Sequence, residues 1–223
     1  MERKWTSAEM AAIIDHSLVK ATATEEAVIA YCGEAKANGF ASVCVNPCHV
    51  ALCAKELAGT GISVCAVVGF PLGANMSETK ILEAKLAVEC GAREIDMVIN
   101  LGKAKAGDWE SVKAEIAAIV MASKPALVKV ILETCYLTTE EKVQACLAVE
   151  AAKAKFLQTS TGFGTGGATV EDVALMRSIV GKAIKIKASG GIRTSSDALS
   201  MLNAGADRIG ASAGVSIVAE CED

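Results

Sequence analysis

Leu127-Val128-Lys129-Val130-Ile131-Leu132 decides the fold. The run is β-branched and apolar on both faces, and such a strand must be covered on both sides, as in a parallel sheet wrapped by helices. Shortly after it comes Thr138-x-x-Glu141, a capping box that opens an amphipathic segment. The same unit recurs in both directions along the chain. Strands are expected at 13–16, 40–46, 62–68, 94–100, 127–133, 156–159, 184–188 and 208–210. Helices fill the gaps, and their punctuation is legible. Asn46-Pro47 offers an N-cap followed by Pro at the first helical position. Thr194-x-x-Asp197 is a close relative of the capping box, and Glu171-Asp172 complement a helix dipole in the first turn. Gly91 and Gly181 stand where left-handed, helix-ending residues belong.

Eight strand units alternating with eight helical units in 223 residues predict a single (β/α)8 TIM barrel. One domain should span residues 1–223, with an extra N-terminal helix before Ile13; an open doubly wound sheet is the alternative. Composition agrees. The chain is 52% apolar but only 4% aromatic, which suits aliphatic strands under helices and leaves no polar tract for disorder. A net charge of -4 points neither to nucleic acid nor to an anionic membrane. Met1-Glu2-Arg3-Lys4-Trp5 has no apolar leader segment behind it, and no run reaches the roughly 18 apolar residues of a spanning helix. A cytoplasmic protein without membrane contact is expected. Nine Cys, an odd number spread through periodic segments, argue for reduced and mostly buried side chains rather than a disulfide scaffold.

In such a barrel the chemistry sits at the C-terminal ends of the strands. Three glycine-containing loops follow the last three strands: Ser160-Thr161-Gly162-Phe163-Gly164-Thr165-Gly166-Gly167, Ser189-Gly190-Gly191-Ile192-Arg193 and Gly210-Ala211-Ser212-Ala213-Gly214. Glycines let backbone N–H groups close on phosphate oxygens, so three consecutive loops of this kind predict a phosphate site; ordinary tight turns are the alternative. Gly210-x-Ser212-x-Gly214 also fits a hydrolase nucleophile elbow, but the triad needs a later His, and His16 and His49 both lie upstream.

Charges inside apolar strands are the second signal: Asp96, Lys129, Lys185 and Lys187. Each is costly unless paired or aimed into a site. An Asp and several Lys at one barrel mouth suggest carbonyl chemistry, in which a lysine crowded by cations loses its proton and forms a Schiff base. Ion pairs that only fix packing are the alternative. Lys185 shares the parity of Lys187 but sits deeper, and either role is open to it. Cys44-x-x-x-Cys48-His49-x-x-x-Cys53 spans a strand and a helix without zinc-site spacing, so no metal is expected. Asp15-His16 end the first strand, and His16 reads as a structural histidine, with a site role as the alternative.

These residues belong to stretches in which the chain resembles DeoC-type deoxyribose-phosphate aldolases over nearly its full length. The stretches are Ile14-Asp15-His16-Ser17-Leu18-Val19-Lys20, Ser42-Val43-Cys44-Val45-Asn46-Pro47, Val68-Gly69-Phe70-Pro71-Leu72-Gly73 and Glu94-Ile95-Asp96-Met97-Val98-Ile99-Asn100, then Val128-Lys129-Val130-Ile131-Leu132-Glu133-Thr134-Cys135, Thr159-Ser160-Thr161-Gly162-Phe163 and Lys187-Ala188-Ser189-Gly190-Gly191-Ile192-Arg193-Thr194. The resemblance implies a class I aldolase, a lyase with no metal or other cofactor, acting as a homodimer on a small phosphorylated sugar. The implied reaction is the reversible cleavage of 2-deoxy-D-ribose 5-phosphate to acetaldehyde and D-glyceraldehyde 3-phosphate through a lysine Schiff base. Asp96 is then the implied proton-transfer acid, and Lys187 the second lysine that lowers the nucleophile's pKa. Asp15, Cys44, Lys129 and Thr159 are implied to line the substrate pocket. Gly162, Gly190, Gly191, Arg193, Gly210 and Ser212 are implied to cradle the phosphate.

One position departs from the pattern. The family's sixth strand ends in Lys-Thr-Ser-Thr-Gly, whose lysine forms the Schiff base, whereas this chain reads Gln158-Thr159-Ser160-Thr161-Gly162. An amide nitrogen delocalises its lone pair into the carbonyl, so Gln158 hydrogen-bonds but forms no iminium. Three readings follow: an aldolase disabled at Gln158, an aldolase whose Schiff base has moved to Lys187 or Lys185, or a phosphosugar-binding protein without catalysis.

Overall fold

The structure is a computed structural model that describes residues 5–221; Met1–Lys4, part of the segment expected to carry no leader, lie outside the described residues, as do residues 222 and 223. Eight strands form the inner layer: β1 (Ile14–Leu18), β2 (Ser42–Val45), β3 (Ser63–Val68), β4 (Glu94–Val98), β5 (Leu127–Ile131), β6 (Phe156–Gln158), β7 (Lys185–Ser189) and β8 (Arg208–Ala211). Neighbours pair in parallel and β8 pairs with β1, so the sheet closes into a barrel and the open doubly wound alternative is excluded. The outer layer is α1 (Ser7–Ala11), α2 (Glu25–Asn38), α3 (Val50–Glu56), α4 (Ser77–Glu89), α5 (Leu101–Lys105), α6 (Trp109–Ala122), α7 (Thr139–Ala151), α8 (Val170–Val180), α9 (Ser195–Asn203) and α10 (Gly214–Ala219). The extra N-terminal helix is α1. Thr6 and Glu9 close it with a capping box, and Ser7 Oγ donates to Val218 O of α10 at 3.4 Å.

Strand parity separates two interiors. Residues such as Ile95, Met97, Val128, Val130, Leu157, Ile186, Ala188 and Ile209 face the helices and join one continuous apolar core. The alternate residues face the barrel axis, where the apolar residues are fewer: Cys44, Cys65 and Val67, flanked by Val19 and Phe70, together with Val98, Ile131 and Phe156. Many of the other inward positions are polar or charged, among them Asp15, Glu94, Asp96, Lys129, Lys187 and Arg208. Burial of aliphatic surface between sheet and helices therefore stabilises the fold, which leaves the barrel axis free for chemistry.

The expected punctuation is largely present. Thr138–Glu141 and Thr194–Asp197 are complete capping boxes, and Glu171 and Asp172 occupy the first turn of α8. Two readings need correction. Asn46 precedes Pro47 at a 3-10 turn, but its side chain donates to Lys20 O at 3.3 Å rather than capping. Gly181 ends α8 at φ +56°, yet with ψ -135° it is outside the left-handed helical region; Gly39 closes α2 in that conformation instead. All nine cysteines are free, with five buried and Cys48 and Cys90 exposed. Among the described residues no helix is long and apolar enough to cross a membrane.

One buried charge pair ties the outer layer to the barrel. Lys80 of α4 donates to Glu115 of α6 and to Val98 O, each at 2.9 Å, and Ser77 Oγ donates to the other carboxylate oxygen at 2.8 Å. Removing one member strands a charge in the core. Glu115→Ala is therefore expected to lower unfolding free energy by about 3–5 kcal/mol, measured by urea titration.

Candidate active site

The barrel axis holds a lattice of six charges from five strands. Lys187 donates to Asp96 at 2.6 Å and lies 2.6 Å from Asp15. Lys129 reaches Glu94 at 2.5 Å, Asp96 at 2.7 Å and Asp15 at 3.4 Å. Arg208 closes the set from below, 2.6 Å from Asp15 and 3.5 Å from Glu94. Register explains the meeting: Asp96 is the strand partner of Lys129, and Lys187 of Arg208. Gly210 supplies clearance, because a Cβ there would lie 2.6 Å from the Lys187 Cε. Lys187 thus passes β8 to reach Asp15.

Three carboxylates balance three cations, and this sets the protonation states. Burial pushes the Asp15 carboxyl up, but Lys129, Lys187 and Arg208 outweigh it and hold the group well below the carboxylate range. Asp96 is likewise raised by burial, but Lys129 and Lys187 lower it further. Burial pulls Lys187 and Lys129 down, and the facing carboxylates more than reverse this, so both stay above the usual ammonium range. The expectation of a lysine deprotonated by neighbouring cations is therefore corrected for these two side chains: each cation here has its carboxylate.

Above the lattice opens a cavity of about 380 Å³. Asp96, Lys187, Cys44 and Gln158 form part of its wall. Gln158 is 4% exposed; its Nε2 donates to Ser189 Oγ at 3.1 Å, while its Oε1 has no partner. Ser189 Oγ in turn donates to Ser160 O at 2.6 Å. The amide is thus held by one end and presents an acceptor.

The three glycine loops ring the same cavity: Gly162, Gly190, Gly191, Arg193, Gly210 and Ser212 all line it. Glu133 at the end of β5 organises the first loop by accepting from Thr161 N at 3.1 Å and from the Thr161 hydroxyl. Burial pushes the Glu133 carboxyl up against those hydrogen bonds. The first loop packs directly on the second, since a Cβ on Gly167 would fall 2.2 Å from Gly190 O. Asp197 accepts from Arg193 N at 3.0 Å and fixes the second loop to the start of α9. Phe70 and Phe163 meet edge to face across the opening, with ring centroids 5.4 Å apart. An arginine beside three glycine loops, whose backbone lets a ligand approach closely, suits a phosphate. Arg193→Ala is expected to weaken inorganic phosphate binding about tenfold, measured by competition with a phosphorylated ligand.

The structure gathers most of the residues singled out from sequence, but not all. Asp15 and Lys129 lie beneath the cavity rather than on its wall. Thr159 is fully buried, and its hydroxyl bonds the backbone of Ser189 in both directions, so it joins β6 to β7 and lines no cavity. Lys185 has the inward parity of Lys187 but starts β7. It is exposed at the opposite barrel end, 5.8 Å from the centroid of the Phe156 ring, and two residues of strand separate it from the mouth. His16 points outward, stacks on Tyr31 and bonds Glu34 at 2.6 Å, as a structural histidine does. Sequence reasoning missed Glu94, Arg208, Ser189 and Glu133. Glu94 and Arg208 carried the same signal as Lys129, a charge at inward parity, but at strand starts.

Comparisons with known proteins agree with this geometry. A family model described as DeoC/LacD family aldolase matches residues 9–219. A deoxyribose-phosphate aldolase of Thermoanaerobacter sp. (strain X514) is 57% identical over 214 residues, 95% of this chain and 96% of that protein. One from Bacillus cereus (strain AH187) is 57% identical over 210 residues, 94% of each chain. Among solved structures, a tetrameric deoxyribose phosphate aldolase from Aeropyrum pernix superposes with a TM-score of 0.91 at 34% identity, covering 96% of this chain and 91% of its own.

Proposed function

Starting from a chain that belongs to the DeoC/LacD family of aldolases, we propose that it keeps the deoxyribose-phosphate site of its relatives and lacks their covalent step. The ligand is 2-deoxy-D-ribose 5-phosphate. Its phosphate lies against Gly162, Gly190, Gly191, Arg193, Gly210 and Ser212, and its carbonyl end points down the cavity to Gln158, Lys187 and Asp96. Asp96 is the proton-transfer group, and Lys129 and Lys187 together hold it ionised. Cys44 is part of the wall, while Asp15 and Lys129 act from beneath by fixing that pair. On the resemblance, a cytoplasmic homodimer is part of the same proposal.

Gln158 carries the reading. It occupies the position on β6 where the resemblance puts the Schiff-base lysine, and an amide cannot take that part. The relocated Schiff base is disfavoured by the lattice. Lys187 lies 2.6 Å from each of two carboxylates and is held as an ammonium, which has no lone pair to attack a carbonyl. Lys185 sits at the other end of the barrel.

The test is to incubate the protein with acetaldehyde, reduce with borohydride and map lysines by mass spectrometry, with calorimetric titration of deoxyribose phosphate alongside. No labelled lysine together with saturable sugar-phosphate binding is expected. A label on Lys187 would move the nucleophile there, and absence of binding would end the proposal.

A further inference from the structure

We propose that Cys44, Cys65 and Asp96 form a binding site for one thiophilic divalent cation of the zinc or cadmium class, at the floor of the cavity. The Cys44 Sγ, the Cys65 Sγ and a carboxylate oxygen of Asp96 all lie within 4.8 Å of one another, and all three residues are buried. The topology brings them together from separate strands: Cys44 and Cys65 are direct partners in the β2–β3 register, and Asp96 pairs with Val67, which follows Cys65 on the same face of β3. The Cys44 thiol already points to Asp96 Oδ2, at 3.9 Å. A tetrahedral zinc with two sulfur ligands and one oxygen needs ligand separations of about 3.3–3.8 Å, which small side-chain rotations supply. A disulfide fits the pair less well. Adjacent strands stand about 4.8 Å apart, whereas disulfide-linked Cβ atoms average about 3.8 Å.

Two further observations point to a cation. Cys44 and Asp96, though buried, are among the residues that line the cavity, so the ion has an entry path. On the same wall the buried Oε1 of Gln158 is an acceptor without a partner. A lysine at that position would bring a positive charge instead, so this sequence suits the cavity to a cation better than the family pattern does.

The charge balance also closes. Asp15, Glu94 and Asp96 are offset by Lys129, Lys187 and Arg208 before binding. On binding, two S–H bonds break, two protons leave to solvent and two S–metal bonds form, so the dication is neutralised by two thiolates. Burial, Cys44 and Asp96 push the Cys65 thiol up, and Lys129 Nζ, 3.3 Å from its Sγ, offsets only part of this, so the incoming metal itself must displace the protons. Asp96 Oδ2 exchanges Lys187 for the metal, and Lys187 keeps Asp15. Occupancy takes Asp96 out of proton transfer, which makes the ion an inhibitor of any chemistry at this floor.

The experiment reads metal directly and so stands apart from the proposed activity. The full chain, reduced and stripped with a chelator, is titrated with Cd2+ and Zn2+. One ion per chain is expected, with a sulfur-to-cadmium charge-transfer band and two sulfur neighbours at about 2.3 Å from zinc by X-ray absorption. Cys44→Ser and Cys65→Ser should each abolish the band, whereas changing the exposed Cys48 and Cys90 to Ser should leave it. Asp96→Asn and Gln158→Lys should each weaken binding at least about tenfold. The proposal is overturned by no uptake, by loss of the band only on changing Cys48 and Cys90, or by fewer than two sulfur neighbours. That last measurement uses the unaltered chain, so it decides even where a cysteine variant does not fold.

Discussion

Gln158→Lys is expected to raise cleavage of 2-deoxy-D-ribose 5-phosphate by on the order of 10⁴–10⁶-fold, the scale on which loss of a covalent nucleophile is felt. The introduced amine would start from a buried position whose strand partner is Lys187. Asp15 and Asp96 are each already engaged by more than one cation. The new group would therefore meet burial and a neighbouring ammonium without a carboxylate of its own. Both effects lower its pKa, so a neutral amine is available at ordinary pH. Acetaldehyde release in a coupled assay gives the rate, and borohydride reduction should place the label at position 158. An unchanged rate in a folded variant would show that the missing lysine is not what limits this chain.

Asp96→Asn in that restored background should cost about 10²–10⁴-fold in kcat, the usual share of a positioned acid–base group. A second effect separates position from chemistry. The substitution removes one of three carboxylates facing three cations and leaves Lys129 and Lys187 each short of a partner. Breaking a buried pair in this way costs about 3–5 kcal/mol, read from urea unfolding of the same variant. A fall in kcat with KM and stability unchanged would assign Asp96 to proton transfer alone. A fall in stability with kcat unchanged would leave it only as a member of the lattice.

The fold was legible because its signals are local. A strand apolar on both faces, a capping box after it and a repeat of the pair can all be read from neighbours in sequence. Asp96, Lys129 and Lys187 were legible for a related reason: a charge among β-branched residues has few explanations. Height along the barrel was not. Parity gives the face of a strand but not the end at which a side chain emerges, which is why the sequence leaves either role open to Lys185. Thr159 was misplaced because its hydroxyl bonds the backbone of the next strand, a partner 30 residues away. Glu94 and Arg208 begin two of the expected strands with no apolar run before them to mark them as inward, yet barrel closure turns both inward. Glu133 is left-handed at φ +51°, a conformation its sequence context does not announce.

The seam between β8 and β1 has a consequence for how the site comes into being. Asp15 waits for Arg208, 193 residues later, and the last glycine loop sits on the last strand. A nascent chain leaving the ribosome therefore carries its acids long before their final counter-ion. No copy that stops before β8 and its loop holds a complete pocket, so ligand binding reports only on chains made past Ser212.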